Sequence, residues 1–295
     1  MMIGQFLNYL RYERNASPRT VRLYGESLHD FESYFKDKDS QLSWTSVDAD
    51  IIRDWMESMM DRGVMASTVN TRLSAVRSFF RFALSRGLVE SDPSHALKGP
   101  KRQKPLPQFV RESEMDELLD FSDWSPTIYK EVCARTILVL FYETGMRCSE
   151  LTGLNDTDVD YVNHQLKVTG KRDKQRLIPF GSEVERTLRD YQQRRDEEVR
   201  REDAGALFLS EKGRRLTYYQ VYTCVRKYLS LVTTIKKRSP HVLRHTFATA
   251  MLNNGAGLES VRKLLGHESV ATTEIYTHTT FDQLKRVYKD AHPRA

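Results

Sequence analysis

Two stretches of the chain carry residues that could do chemistry on a phosphate. The first is Ser239-Pro240-His241-Val242-Leu243-Arg244-His245. Serine suits a helix N-cap and proline the first helical turn, so a helix should begin here. His241 then lies in the first turn, with Arg244 three residues on along the same face. The free N–H groups and dipole of a helix start favour an anion, and a guanidinium beside an imidazole adds to that preference. The second stretch, residues 264–278, reads LLGHESVATTEIYTH. Gly266 ends a helix, His267 follows, and a short capped segment leads to Tyr276. A tyrosine oxygen can attack phosphorus when cations neutralise the target. With 14 tyrosines in the chain, Tyr276 stands out only through its neighbours, and a lone His-x-x-Arg pair is usually a surface accident.

Other cations sit near plausible turns. Thr144-Gly145-Met146-Arg147 follows the apolar run of Ile137, Leu138, Leu140 and Phe141, and Arg147 precedes Ser149-Glu150-Leu151. Arg147 and Glu150 could equally form a local ion pair three residues apart. Residues 165–180, QLKVTGKRDKQRLIPF, alternate as a hairpin does, with Leu166 and Val168 on one arm and Leu177 on the other. Lys171, Arg172, Lys174 and Arg176 crowd its turn.

These residues need a frame, and the composition is that of a globular chain. It has 295 residues, enough for two domains, with 39% hydrophobic and 29% charged residues. No apolar run approaches a membrane span, and the first residues lack a signal-peptide pattern. A cytoplasmic location is expected. Cys133, Cys148 and Cys224 have neither disulfide nor metal-ligand spacing, and the eight histidines show no metal motif, so neither metal nor cofactor is expected. Residues 1–100 balance their charges, so the whole net charge of +6 falls in residues 101–295. That is a weak pointer to a polyanionic partner.

Residues 1–98 read as all-helical. Ile3, Phe6, Leu7 and Leu10 recur at helical spacing. Ser17-Pro18 starts a second helix burying Val21, Tyr24, Leu28, Phe31 and Phe35. A third carries Ile51, Ile52, Trp55, Met56 and Met59. A fourth starts at Ser67 with Val69, Leu73, Val76, Phe80 and Leu84 inward. Its other face shows Arg72, Arg77 and Arg81, which could track a DNA backbone or could simply be solvated. Residues 99–108, GPKRQKPLPQ, read as a basic linker in which Lys101 and Arg102 could touch DNA. The second half, 109–295, reads as helices around a small sheet. It closes with a tail over 281–295 in which Phe281, Leu284, Val287 and Tyr288 share a face. The fold class is thus mainly α, an all-helical domain followed by a helical domain with a small antiparallel β-sheet.

In this order within one chain, the motifs resemble the tyrosine recombinase family, and the layout is most similar to its Xer branch. The resemblance covers nearly the whole chain: a core-binding domain, a linker and a catalytic domain. It rests on Thr144 to Arg147 with Glu150-Leu151, Gly170-Lys171, His241 to His245, Leu265-Gly266-His267 and Tyr276 in its setting. It implies that Arg147 and Arg244 grip the scissile phosphate, Lys171 protonates the 5′-oxygen, His241 assists proton transfer and His267 hydrogen-bonds the phosphate. Tyr276 would form the 3′-phosphotyrosyl link, with no metal or ATP. The family more often has glycine where Arg172 stands. His245 is expected to be a packed, buttressing residue and His278 non-catalytic. In relatives the tail docks on a neighbouring subunit.

The implied function is site-specific recombination that resolves chromosome dimers. The implied partners are a double-stranded DNA site, the same or a paralogous recombinase in a tetramer, and an activating DNA translocase. The alternatives are a mobile-element integrase with the same chemistry and a DNA-binding protein without catalysis.

Overall fold

The computed structural model describes residues 2–101, 108–120, 124–170, 173–266 and 278–294, the side chains of 278–282 excepted. The chain divides into two compact units, Met1–Pro105 and Leu106–Ala295.

The first unit holds α1 (Met2–Asn8), continued as a π-turn over Tyr9–Glu13, and then α2 (Pro18–Lys38), α3 (Ala49–Asp61) and α4 (Ala66–Ser85). The start of α2 follows from its sequence. Ser17 is the N-cap, and its side chain accepts from the Thr20 N–H at 3.2 Å. The core is aromatic: Phe6, Phe31, Phe35, Trp44, Trp55, Phe79 and Phe80 are buried, with Trp44 and Phe79 centroids 4.3 Å apart. On α4 the buried stripe runs Val69, Leu73, Val76, Phe80, Ala83, while Leu84 is 44% exposed. A 3.6-residue repeat drifts over so long a helix, so Phe79 and Phe82 fill places that a strict reading assigns to Leu84. Tyr24 is only partly covered, and α4 begins at Ala66, one residue before the expected serine.

The second unit opens with α5 (Glu112–Leu119) and the buried helix α6 (Tyr129–Thr144), followed by α7 (Cys148–Gly153). A three-stranded antiparallel sheet comes next, β1 (Val159–Asp160), β2 (Gln165–Thr169) and β3 (Gln175–Pro179), in the order β1-β2-β3. Then come α8 (Ser182–Glu198), α9 (Tyr218–Val232), α10 (Pro240–Asn253), α11 (Leu258–Leu265) and α12 (His278–Ala291). Leu166 pairs with Ile178 and Val168 with Arg176. Leu166, Val168 and Ile178 are buried and Leu177 is 39% exposed. The inward face of β3 is therefore one residue out of step with a hairpin anchored on Leu177, and Arg176 lies on the core side.

The tail helix packs on its own domain. Leu284, Tyr288 and Ala291 join Phe247, Met251, Val261, Leu264 and Leu265 in one apolar cluster. Phe281 lies outside the described side chains. Beyond the cluster, the Tyr288 hydroxyl donates to Glu143 Oε2 at 2.6 Å, and His292 Nε2 donates to the Tyr142 carbonyl at 3.1 Å. Arg294 binds Glu183, Asp116 and Asp120 at 2.6, 3.0 and 2.7 Å.

Glu143 is fully buried, and burial pushes its carboxyl from 4.5 up to about 8 although the Tyr288 hydroxyl and Arg294 pull it down. Burial pushes His292 the other way, from 6.5 down to about 4. Both groups are neutral in the fold. The contribution of Glu143 to stability is complete below its ordinary value and is lost as pH rises through about 8. The contribution of His292 is present above 6.5 and lost as pH falls through about 4. Between pH 6.5 and 8 only Glu143 changes state in this pair. The melting temperature, followed by circular dichroism, should therefore fall across that interval, and Glu143→Gln should flatten the fall. An equally steep fall in the variant would refute a neutral Glu143.

Candidate active site

The site begins where α6 stops. Gly145 caps the helix in the left-handed region, with φ +58°, which suits glycine. A Cβ there would lie 2.4 Å from Phe247 and 2.8 Å from Leu265, so the turn is pressed against α10 and α11. The turn delivers Arg147 as the N-cap of α7. Glu150, one turn on, accepts from the Arg147 backbone N–H at 2.7 Å and from its Nη1 at 2.8 Å. The local ion pair is therefore real, but Arg147 also reaches across the unit, where Nη2 donates to the Gly266 carbonyl at 3.0 Å. Its side chain remains 35% exposed, beside a Glu150 side chain that is fully covered.

Arg244 comes from the first turns of α10 and is buried. Its Nη1 donates to the Gly145 carbonyl at 2.7 Å and its Nη2 to the Leu265 carbonyl at 2.6 Å. The helix starts at Ser239-Pro240 as expected. The serine hydroxyl makes no capping bond, however, and its carbonyl accepts from the Val242 N–H at 2.9 Å instead. Burial first, and then the neighbouring Arg147 and Arg176, lower Arg244 from 12.5 to about 10. His241, in the first turn of α10, is exposed. Partial burial, followed by Arg244, His245 and Arg147, holds its imidazole below the usual value, so it is neutral at pH 7. His245 is exposed rather than packed, because its side of α10 turns away from the core.

A third arginine completes the cluster. Arg176 binds Glu150 through both terminal nitrogens, with Nη1 to Oε1 at 2.5 Å and Nη2 to Oε2 at 2.9 Å, and its Nε donates to the Leu264 carbonyl at 3.2 Å. Three consecutive carbonyls at the end of α11 thus accept from three arginines: Leu264 from Arg176, Leu265 from Arg244, Gly266 from Arg147. A helix C-terminus has orphan carbonyls and the negative end of its dipole, which cations complement. Burial opposes ionisation of Glu150, but the Arg176 and Arg147 bonds prevail and hold its carboxyl below the usual range. Two guanidiniums bind one carboxylate, and a third, that of Arg244, lies in the same cluster bonded to neutral carbonyls. The cluster is short of negative charge, which is the electrostatics of an anion site.

Lys171, His267 and Tyr276 lie outside the described residues. The residues just before Lys171 and His267 border the cluster: Gly266 meets Arg147 directly, and a Cβ built on Gly170 would lie 3.5 Å from Glu150 Oε1. Cys148, beside Arg147, is a buried thiol pushed up to about 12 by desolvation. Among the described residues no cluster has the makings of a metal site.

The basic residues singled out in the first unit behave differently from one another. Arg72 donates to Asp30 at 2.6 Å, and Arg77 donates to the carbonyl of Leu97. Both tie segments of the unit together, through partners that no helical periodicity reveals. Arg81 and Lys101 are exposed, and Arg102 lies outside the described residues.

Comparison with known proteins bears on the whole chain. Residues 108–283 match the family model described as phage integrase family, and residues 3–87 match that of the phage integrase N-terminal SAM-like domain. The chain is 37% identical to a tyrosine recombinase XerC of Chlorobaculum tepidum, over 99% of this chain and 94% of the relative. It is 35% identical to a tyrosine recombinase XerD of Oceanobacillus iheyensis, over 99% and 98%. In fold it is similar to the XerH site-specific recombinase bound to a palindromic difH substrate, with TM-score 0.70 and 24% identity over 96% of this chain and 83% of that one.

The Gly145 turn makes a prediction that separates crowding from backbone strain. Gly145→Ala should cost about 2–5 kcal/mol, from the left-handed conformation and from overpacking against Phe247 and Leu265. Gly255 has φ +88° and open space around it, so Gly255→Ala should cost only about 1–2 kcal/mol. Denaturant unfolding of the two variants checks this; equal losses would refute the crowding at Gly145.

Proposed function

Because the chain belongs to the phage integrase family and is a tyrosine recombinase, an enzyme that cleaves and rejoins DNA, we propose that it is a site-specific recombinase that resolves chromosome dimers. The observation that carries the site assignment is the convergence of Arg147 and Arg244, from two different helix ends, beside a single carboxylate. Burial first, and then repulsion from Arg147 and Arg176, depress Arg244, and a phosphodiester entering there offsets the repulsion. The pentacoordinate transition state gains further negative charge, so the same donors bind it more tightly than the ground state.

In this reading Tyr276 attacks the phosphorus while the bond to the 5′-oxygen breaks. The neutral His241 imidazole takes the tyrosine proton and Lys171 supplies one to the leaving 5′-oxygen. His267 hydrogen-bonds the phosphate. The phosphotyrosyl bond preserves the energy of the broken link, so a second 5′-hydroxyl reseals the strand by the reverse steps. The partners are a double-stranded recombination site, three further subunits of the same or a paralogous recombinase, and a DNA translocase as activator, with the cytoplasm as the place of action. Arg81 and Lys101 are the contacts proposed for the first unit, since Arg72 and Arg77 are engaged within it.

A duplex selected from random sequence by the full-length chain, and nicked near the cleavage point, provides the test. In EDTA the protein should form an SDS-resistant adduct with it, and Tyr276→Phe should form none. Arg244→Gln should slow adduct formation about 100- to 1,000-fold, the usual loss for one transition-state donor. An adduct with Tyr276→Phe, or none with the unsubstituted protein, would sink the assignment. Loss of the gene should leave unresolved chromosome dimers in its host; their absence, together with excised circles of mobile DNA, would point to an integrase instead.

A further inference from the structure

We propose that Arg176 is a positioning residue for strand cleavage, holding Arg147 in register with the end of α11 through the carboxylate of Glu150. The inference rests on the recombinase reading above and names a residue which that reading leaves unused. The strand register places Arg176 on the core side of β3, and its side chain is 9% exposed. Its planar fork matches both oxygens of Glu150, leaving Nε for the Leu264 carbonyl. The same carboxylate holds Arg147 by its backbone and its side chain. Hairpin, α7 turn and α11 end are thereby linked by one arginine–carboxylate pair. A Cβ on Gly266 would lie 3.0 Å from Arg176 Cδ, so α11 ends directly on the arginine stem.

Arg176 reaches the phosphate only through Arg147, so its removal should affect chemistry more than binding. Glu150 faces Arg147 on α7, Arg176 on β3 and, farther off, Arg244 on α10. Without Arg176, burial is less well opposed, the carboxyl titrates at higher pH, and Arg147 loses its anchor at a pH where the native enzyme keeps it.

The full-length chain and the nicked selected duplex test this at saturating protein. Arg176→Gln should cleave about 100-fold more slowly, the loss expected from a small misplacement of a catalytic group, while its affinity for the intact duplex changes little. The acid limb of its cleavage rate should move to higher pH. Arg176→Lys, which reaches one oxygen but lacks the fork, should recover part of the rate and part of the pH shift. Native cleavage by Arg176→Gln would overturn the proposal, as would a loss shared by both variants that tracks the melting temperature and affinity with the acid limb unmoved. No adduct from the unsubstituted chain would refute the recombinase reading and this role with it.

Discussion

The catalytic unit is organised around one buried carboxylate. Glu150 is inaccessible to solvent, yet its carboxyl stays ionised because two guanidiniums and a backbone N–H surround it. A charge in such a place is tolerated only when every part of it is satisfied, and losing one partner from a buried pair typically costs about 3–5 kcal/mol. That stringency carries positional information. The helix after Gly145, the β-hairpin and the end of α11 come from distant parts of the sequence. Each contributes a group that fits only if the other two are in place. Apolar packing would tolerate small slips among these elements; the bidentate fork does not.

Arg244 adds a second constraint of opposite sign. It is buried beside like charges and bonds only to neutral carbonyls, those of Gly145 and Leu265. Its lowered affinity for the proton records burial first and then the like charges of Arg147 and Arg176. On the proposed reading, stability and function pull against each other here: the unit keeps a poorly compensated cation, and an arriving anion would be strongly favoured. The apolar cluster of Phe247, Leu264 and Leu265 behind it, closed by Leu284 and Tyr288 of α12, supplies the packing that holds this charge in place.

Much of the frame was legible because it rests on local chemistry. Ser17-Pro18 starts a helix, Gly145 and Gly266 end helices in the left-handed region, and the alternating run 165–180 forms a hairpin; each is written within a few neighbouring residues. What stayed hidden depends on contacts distant in sequence. Arg72 and Arg77 look like a free basic face until Asp30 and the Leu97 carbonyl are seen beside them. Arg176 looked like one of four interchangeable turn cations. The pattern Arg176-Leu177-Ile178 admits two registers, and only the packing of Ile178 against the core selects the one that turns the arginine inward. The clustering of Arg147 with Arg244 was implied by family resemblance, whereas their shared use of the α11 carbonyls had no sequence signal.

On the proposed reading, that sharing has a consequence for how the site would meet a phosphate. A guanidinium has five N–H donors. Arg147 and Arg244 each engage two terminal nitrogens in the resting protein, and each terminal nitrogen carries two hydrogens. An incoming phosphate can therefore be bound by idle hydrogens while the existing bonds stay intact. The two guanidinium planes are already oriented by the scaffold before any ligand arrives, so little solvent or side-chain reorganisation has to accompany the approach of the charge.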